Sequence, residues 1–471
     1  MKLDRIMITA PASAGGKTMI TCGILAALAE MGKNPVSFKC GPDYIDPMFH
    51  RKAIGTESWN LDPFFSSPDQ IRKFLAGHAE NAGIAVMEGV MGYYDGLGGT
   101  TTKASAYELC KITKTPALLA VNAKGMSTSV LAQIHGFLSW QKDSGIRGIL
   151  LNRISPMMYP RLKKLIEEQL HIPVAGYVPE VRGCTLESRH LGLVLPDEVR
   201  DIREKLCRLA GIMKETIEWD TLFQIAENAP KLEEDTKTPQ PFSLKKAGYR
   251  PVKIGVAQDE AFCFIYRENL ELLRKMGAEI VPFSLLHHRH LPKDLDGLIL
   301  YGGYPELYGR ELEANKSMRQ EVFSKVSSGL PCMAECGGFL YLHREMEDQD
   351  GILRKMAGVI PAKAFKRDKL VRFGYIHLTQ KEGSMFGVKE AELNAHEFHY
   401  YDSDGCGDGF CAKKPVGSQN WECIHGTETL FAGFPHFYYY GNQELPKAFL
   451  MKCHEYQTEK RRQDGYEGNL R

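Results

Sequence analysis

The stretch TAPASAGGKTMIT, residues Thr9–Thr21, joins an apolar run to a helical pattern and decides the fold of the first half of the chain. Its segment AGGKT, at 14–18, is the second half of a phosphate-binding P-loop. Pro11 stands where the strict pattern has glycine, so the motif is a variant. A merely tight strand–helix turn is the alternative. Because strand, loop, Lys-Thr pair and helix follow in the right order, the stretch predicts nucleotide binding.

Each residue type in this segment has a physical role. The small residues Gly15 and Gly16 let backbone N–H groups approach phosphate oxygens, and the helix N-terminus adds favourable partial charge. Lys17 is expected to reach the β- and γ-phosphates, and Thr18 is expected to bind Mg²⁺.

The first half alternates apolar runs with helix-length segments such as 17–31 and 128–140. This alternation predicts an α/β domain, with a parallel sheet and helices on both faces. The runs that predict buried strands are RIMITA (5–10), IAVMEGV (84–90), TPALLAVNA (115–123), RGILLNRI (147–154) and PVAGYVP (173–179).

Acidic residues follow two of the predicted strands. Asp43 and Asp46 lie in KCGPDYIDPMFH, and Glu88 and Asp95 lie in MEGVMGYYDG. The carboxyl ends of parallel strands face the ligand crevice, so these acids are expected near the P-loop. Any one of them alone fits a solvated loop acid or a helix cap. Together they predict carboxylates that hold Mg²⁺ near the phosphates or position a reacting group.

The alternation of predicted strands and helices ends near residue 226, where a charged, Pro-bearing stretch begins. A second β/α series begins at Pro251. The predicted organisation is a nucleotide domain at 1–225, a linker at 226–250, a second α/β domain at 251–447 and a C-terminal tail at 448–471. After Gly351 the second series becomes more β-rich and irregular.

The stretch PCMAECGGFLYL, residues 331–342, has the layout of a nucleophile elbow, with Cys336 between a strand and a Gly-Gly helix start. Backbone N–H groups at Gly302 and Gly303 are candidates for an oxyanion hole. On spacing alone, Cys336 fits an inert core thiol equally well. Spacing does not choose among the candidate bases, which are His287, His288, His290, His343, His396, His399 and His436.

Composition sets further bounds. The formal net charge of +1 gives no electrostatic reason to expect nucleic acid or acidic membranes as partners. The sequence has no run of about 18 apolar residues, so no membrane helix is predicted. The N-terminus lacks the apolar core of a signal peptide. Twelve cysteines without a CxxC pair therefore indicate a reducing cytoplasm rather than a disulfide framework. A monomer or homodimer is expected.

Several segments, spread over almost the whole chain, resemble the cobyrinate/cobyric acid class of glutamine-dependent amidotransferases. They are GGKT, FKCGPDYIDPMFH, WNLDPF, AVMEGVMGYYDG, KGMSTSV, ILLNRI, PVAGYVPE, ESRHLGLV, YGGYPELYGRELEAN, PCMAECGGFLYL and AHEFHY. The resemblance implies an N-terminal domain similar to dethiobiotin synthetase and a C-terminal class I glutaminase domain of flavodoxin-like fold.

The resemblance also implies the chemistry. Cys336 would attack L-glutamine and release ammonia, and His436 in FAGFPHFYY would activate the thiol. ATP would phosphorylate a substrate carboxylate, and ammonia would displace the phosphate to leave an amide. The resemblance gives catalytic roles in Mg²⁺ binding and carboxylate activation to four acids, Asp43, Asp46, Glu88 and Asp95. Asp46 and Glu88 would join Thr18 as ligands of Mg²⁺. Two rounds would amidate the c and a side chains of cobyrinic acid, a corrinoid. No glutamate stands two residues after His436, so the group that orients this histidine is left unassigned.

Alternatives remain at this point. Related enzymes act on hydrogenobyrinic acid or nickel-sirohydrochlorin, and partitioning-type ATPases, which are nucleotide-gated switches, share the P-loop. His396 and His399 are spaced as a metal pair could be, although a structural role is favoured. Arg189 and His190 in ESRHLGL could meet substrate carboxylates, or they could lie on a surface turn.

Overall fold

The computed structural model describes residues 1–181, 188–189, 192–193, 201–233 and 241–468. The chain divides into two compact units, which we call unit 1 (Met1–Thr238) and unit 2 (Pro239–Arg471). In the part of the chain that is described, no helix is both long and apolar enough to cross a membrane.

Unit 1 is built on a seven-stranded sheet in which every pairing is parallel. The spatial order is β3-β2-β4-β1-β5-β6-β7. The P-loop follows β1, and β1 lies beside β4. The last residue of β4 is Glu88. The strands are β1 (Arg5–Thr9), β2 (Pro35–Cys40), β3 (Ser58–Leu61), β4 (Ile84–Glu88), β5 (Ala117–Asn122), β6 (Ile146–Asn152) and β7 (Val174–Val178), followed by the hairpin pair β8 (Ser188–Arg189) and β9 (Gly192–Leu193).

Helices cover both faces of this sheet, as the alternation predicts. Along β1, Met7 packs into one apolar cluster, whereas Ile6 and Ile8 pack into another. This alternation is the two-residue period of a strand buried on both faces. The helices are α1 (Lys17–Glu30), α2 (Ile45–Phe49), α3 (Pro68–His78), α4 (Ala106–Thr113), α5 (Ser129–Ser139), α6 (Tyr159–Leu170), α7 (Ile202–Thr216) and α8 (Trp219–Glu227), and a π-helical turn spans His50–Ile54.

Unit 2 contains a six-stranded sheet whose spatial order is β11-β10-β12-β13-β23-β22. The first five strands are parallel, and their order in the chain is 2-1-3-4-5, which is the flavodoxin-like arrangement. The predicted flavodoxin-like fold is therefore confirmed. These strands are β10 (Val252–Ala257), β11 (Ala278–Phe283), β12 (Gly297–Leu300), β13 (Cys332–Glu335), β22 (His425–Gly426) and β23 (Leu430–Gly433).

Two further sheets account for the irregular β pattern after Gly351, one with four strands and one with five. Their strands are β14 (His343–Glu347), β15 (Leu353–Lys355), β16 (Ile360–Lys366), β17 (Arg372–Gln380), β18 (Glu392–His399), β19 (Tyr401–Ser403), β20 (Phe410–Lys413), β21 (Asn420–Cys423) and β24 (His436–Phe437). The helices of unit 2 are α9 (Arg267–Met276), α10 (Gly309–Ala314), α11 (Lys316–Ser327), α12 (Gly337–Leu342) and α13 (Glu444–Gly468).

The segment predicted as a linker, 226–250, is partly packed. Leu232 is buried, and its N–H donates to Met1 O in unit 1. Leu244 is buried, and its N–H donates to Met276 O in unit 2. Single apolar residues in a charged stretch therefore fix its two ends, although no periodicity marks them in the sequence.

The segment predicted as a tail, 448–471, begins inside helix α13 and differs from a free terminus. Phe449, Leu450 and Cys453 are fully buried in the apolar cluster of unit 2. The first turns of the helix therefore belong to the core, because burying these apolar side chains is favourable.

Candidate active sites

The P-loop in unit 1 has the backbone geometry that its sequence predicts. Gly16 caps helix α1 with φ 91°, a left-handed conformation that glycine adopts without strain. A Cβ added at Gly16 would lie 2.4 Å from Asn152 Nδ2, so the close approach also requires glycine. Asn152, at the end of β6, donates a 3.0 Å hydrogen bond to Gly15 O and tethers the loop.

Lys17 curls back over this loop. Its Nζ donates to Ala12 O at 3.1 Å and to Met91 O at 2.5 Å. Burial, and then the nearby Lys39, lower the pKa of Lys17 to about 8. The ammonium group thus contacts backbone carbonyls of two loops, and its role toward phosphate stays a prediction.

Thr18 lies against the predicted acids. Its hydroxyl donates a 2.7 Å hydrogen bond to Glu88 Oε1. The same carboxylate oxygen accepts a 2.8 Å hydrogen bond from Lys39 Nζ, which also contacts Asp46 Oδ2 at 2.5 Å. The structure therefore brings together the three residues that the sequence predicts as Mg²⁺ ligands, and it places a lysine among them.

Lys39 is an almost completely buried cation inside a group of three carboxylates, the third being Asp43 at 3.7 Å. Burial acts to lower the pKa of Lys39, but Asp46 and Glu88 outweigh it, and the pKa is raised well above its ordinary value. Burial raises the pKa of Glu88 to about 7. Although burial opposes it, Lys39 lowers the pKa of Asp46. Lys39 therefore compensates charge at this end of the sheet.

The other two predicted acids make backbone contacts. Asp43 Oδ1 accepts from the N–H groups of Ile45 and Asp46, at 2.9 and 3.1 Å, and so caps the short helix α2. Burial, and then Asp46, raise the pKa of Asp43 to about 6. Asp95 Oδ2 accepts from Gly92 N–H at 2.9 Å. The charge of Asp95 partly offsets the lowering of the Lys17 pKa. Asp43 thus lies near Lys39, and Asp95 interacts with Lys17.

The oxygen atoms of this crevice fit a hard cation such as Mg²⁺. Thr18 Oγ1 and Glu88 Oε1 are within 2.7 Å of each other, and Glu88 Oε2 has no hydrogen-bond partner. Within the described residues, no group of three or more His, Cys, Asp or Glu side chains is arranged to hold a metal alone. A P-loop site does not need one, because phosphate oxygens and water complete the shell of Mg²⁺.

The elbow in unit 2 is formed as the sequence predicts. Cys336 follows β13 and has φ 44° and ψ −103°, a conformation that non-glycine residues rarely adopt. A Cβ added at Gly338 would lie 2.1 Å from Leu300 O, so only glycine fits beneath the turn. Burial, and then Glu306, raise the pKa of the Cys336 thiol, while a hydrogen bond from Gly337 N–H lowers it.

Cys336 and His436 meet at Gly302. A Cβ added at Gly302 would lie 2.5 Å from His436 Cε1 and 3.5 Å from Cys336 Cβ. The thiol side chain is 7% exposed and the imidazole 2%, so both are largely shielded from bulk water. Burial lowers the pKa of His436 to about 3. A neutral imidazole can take a proton from the thiol, although burial disfavours both of the charged groups that this transfer creates.

The remaining histidines lie in other environments. His287 and His290 are exposed and pair with Glu260 and Glu321, each at 3.0 Å. His288 Nδ1 accepts from Ser284 N–H at 3.3 Å. Of the candidates, His436 is the one whose ring lies against Gly302, next to Cys336.

The predicted His396–His399 pair is split between two contacts. The ring of His396 stacks on His436 with centroids 5.1 Å apart. His399 stacks on Phe434 at 3.9 Å, and its Nδ1 donates to Tyr401 O. A metal role for this pair finds no support here, because each ring has a separate packing partner.

The loop proposed as an oxyanion hole touches the elbow. A Cβ added at Gly337 would lie 2.9 Å from Gly303 N. The amide of Gly303 is therefore next to the turn that carries the thiol. Its role, and that of Gly302, stay predictions. The side chains of Arg189 and His190 lie outside the described residues.

Sequence patterns missed several members of the two sites. Lys39 interrupts a buried strand, and a lone lysine in an apolar strand is a usable signal. His50 Nε2 lies 3.7 Å from Glu88 Oε2, and its Nδ1 contacts Ser37 Oγ at 2.9 Å. Glu335 lies beside His436, although nothing in its spacing indicates this. These contacts join residues from different elements, so tertiary structure is needed to find them.

Comparison with known protein families identifies the class. Residues 6–194 match the CobQ/CobB/MinD/ParA nucleotide binding domain, and residues 253–439 match the CobB/CobQ-like glutamine amidotransferase domain. With a P-loop in one unit and a cysteine elbow in the other, the chain is a glutamine amidotransferase and a carbon–nitrogen ligase. A nucleotide-gated switch does not account for the second domain.

Full-length relatives narrow the class further. A cobyrinate a,c-diamide synthase of Caldanaerobacter subterraneus is 36% identical over 450 residues, which are 95% of this chain and 98% of the relative. Those of Thermoplasma volcanium and Priestia megaterium are 36% and 34% identical, over 97% and 98% of this chain and 98% and 99% of the relatives. The chain belongs to the cobyrinate a,c-diamide synthase family.

Proposed function

We propose that the chain catalyses ATP- and glutamine-dependent amidation of the a- and c-side-chain carboxylates of cobyrinic acid, through acyl phosphate intermediates, in cobalamin biosynthesis. The observation that carries this proposal is that the relatives of this name described above align with 95% or more of the chain. The two sites supply chemistry that such a reaction needs.

In unit 2, His436 takes the proton of the Cys336 thiol, and the sulfur attacks the side-chain amide of glutamine. A C–S bond forms, and the C–N bond then breaks as the imidazolium returns the proton to the leaving nitrogen. Ammonia leaves, and water hydrolyses the thioester to glutamate. Amides of Gly302 and Gly303 stabilise the developing oxyanion. The shared position of His436 and Cys336 around Gly302 supports this assignment.

In unit 1, the loop amides at Gly15 and Gly16 and the ammonium of Lys17 hold the phosphates of ATP. Thr18 and Glu88, with Asp46, would hold Mg²⁺, which supplies charge neutralisation for the phosphates when bound. Lys39 balances the carboxylates that remain, and Asp43 and Asp95 border the pocket. The buried ion pairs of Lys39 support an electrostatic role for this cluster.

A carboxylate is a poor electrophile at neutral pH, so it must be activated. The substrate carboxylate attacks the γ-phosphorus, the bond to the β-phosphate bridging oxygen breaks, and ADP leaves. Ammonia then attacks the acyl phosphate carbon, and inorganic phosphate leaves with the amide formed. One ATP and one glutamine are used for each amide.

The decisive experiment is mass spectrometry of the product formed from cobyrinic acid, ATP, Mg²⁺ and glutamine. A product carrying two amides supports the proposal. Hydrogenobyrinic acid and nickel-sirohydrochlorin are tested in parallel, because the residues assigned above have roles toward ATP and glutamine and none toward the central metal. If the enzyme clearly prefers either of these macrocycles, that macrocycle is the substrate instead of cobyrinic acid. The proposed amidation chemistry would be unchanged.

A further inference from the structure

We propose that Glu335 is the positioning residue of the glutaminase, holding the imidazole of His436 for proton exchange with Cys336. This inference rests on the roles proposed above for Cys336 and His436. It concerns a different group, since Glu335 comes from the strand before the nucleophile rather than from the segment after the histidine.

The geometry places a carboxylate directly at the histidine. Glu335 Oε2 lies 3.6 Å from His436 Nδ1. The two residues are 4% and 2% exposed, so water does not compete strongly for either group. An opposite charge at this separation in a shielded place favours the protonated imidazole.

The carboxylate is itself held from two sides. It accepts hydrogen bonds from Phe437 N–H and from the Tyr439 hydroxyl. Tyr301 OH in turn donates to Tyr439 OH at 3.3 Å. Burial raises the pKa of Glu335 well above its ordinary value, and the two donors act in the opposite direction. Glu335 is taken as ionised when the imidazolium forms beside it, because that positive charge and the two donors favour the carboxylate.

The strand that carries His436 is fixed by a buried asparagine on helix α9. Asn269 Nδ2 donates to Phe437 O at 2.8 Å, and Asn269 Oδ1 accepts from Tyr439 N–H at 2.8 Å. These two hydrogen bonds fix the backbone of Phe437 and Tyr439, which follow His436 in the chain. A fixed backbone and a fixed carboxylate together limit the orientations available to the ring.

The arrangement explains which nitrogen exchanges the proton. With Nδ1 facing Glu335, Nε2 is left to take the thiol proton and later to give it to the leaving nitrogen of glutamine. Glu335 neither gains nor loses a proton in these steps. Its carboxylate stabilises the imidazolium that exists between them, which is costly in a buried place without a counter-charge.

Other ionisable groups surround the pair. His396 stacks on His436, and electrostatic coupling links His399 to the same ring. Glu306 and Glu397 raise the pKa of the Cys336 thiol, and Glu335 raises it too. Apart from Glu335 itself, these groups remain in a variant at position 335, so a change in the pH profile of that variant is due to Glu335.

The test is Glu335→Gln in the full chain, which keeps the size of the side chain and removes its charge. Glutamate release is measured with ATP, Mg²⁺ and cobyrinic acid present. We expect kcat for glutamine to fall about 10- to 100-fold with little change in KM, because the loss affects the imidazolium stage. Ammonium-supported synthesis in the same preparation should be unchanged, which shows that the protein is folded.

The pH profile separates positioning from structural support. Removing a negative charge lowers the pKa of the Cys336–His436 pair, so the acid limb of kcat/KM should move to lower pH in Glu335→Gln. The matched control is Asp296→Asn, because Asp296 is a buried carboxylate just before β12 that bonds to Lys253 N–H and Gln457. This control should leave the limb in place.

The outcomes are distinct. Wild-type kcat in Glu335→Gln, or a lowered kcat with an unmoved acid limb, overturns the role of Glu335 alone. Glutamine-supported synthesis that survives in Cys336→Ser overturns the underlying assignment of the nucleophile instead. If Glu335→Gln lowers ammonium-supported synthesis equally, the residue supports the fold and the inference is also wrong.

Discussion

The ammonium group of Lys39 lies 2.8 Å from the carboxylate of Glu88, and the two side chains are 6% and 0% exposed. Such a pair is costly to bury and more costly to break, since removing one partner leaves an uncompensated charge. Lys39 Nζ also lies 2.5 Å from Asp46 Oδ2 and 3.7 Å from Asp43 Oδ2. Among the described residues of unit 1, Lys39 is therefore a cation that lies within ion-pair distance of all three of these carboxylates.

Lys39→Met should lower the free energy of unfolding by about 3–5 kcal/mol at pH 8, as measured by urea denaturation. The loss should shrink toward pH 5, because Glu88 and Asp43, whose pKa values are raised to about 7 and about 6, become neutral as the pH falls. Lys124→Met is the control, since Lys124 pairs with Glu180 on the surface, and it should cost less than about 1 kcal/mol. Equal losses in both variants would contradict the prediction.

Cys336→Ser should lose glutamine-supported synthesis and keep synthesis with added ammonium salt, because only the ammonia source is removed. Amide product is measured by mass spectrometry with each nitrogen donor. Lys17→Ala is the complementary variant. It should lose product with both donors, because its phosphate site is altered.

Gly302→Ala should strongly reduce glutamine hydrolysis, because the added methyl would lie 2.5 Å from His436 Cε1 and displace the ring. We expect a loss of about 100-fold or more in kcat/KM, since small displacements of a catalytic group are costly. Gly136→Ala, in helix α5, is the control, because a Cβ there meets nothing within 4 Å. That variant should keep full activity.

His436 should stay neutral between pH 8 and pH 5. Its burial lowers the pKa to about 3, so the folded protein binds the proton less readily than the unfolded chain, whose histidines titrate near about 6.5. Folding stability from this group is therefore present above that value and is lost as the pH falls toward 3. Histidine-labelled NMR, with His436→Gln to assign the resonance, measures this directly. A midpoint above pH 6 would contradict it.

Much of the fold follows from the sequence, and the sites follow in part. Periodic apolar runs predict the parallel sheet of unit 1, because strands such as β1 are buried on both faces. The P-loop and the elbow are local, so their glycines identify them. Glu335 is found by tertiary structure alone, since it meets His436 from a separate strand. The core position of Phe449 was missed because the helix that carries it is largely polar.

The backbone of Cys336, with φ 44° and ψ −103°, has a consequence for how the sequence evolves. A non-glycine residue in such a conformation costs on the order of 1–3 kcal/mol, and glycine would relieve most of it. Selection for folding alone would therefore favour glycine at position 336. A cysteine there costs folding stability, and the nucleophile role proposed for Cys336 accounts for that cost.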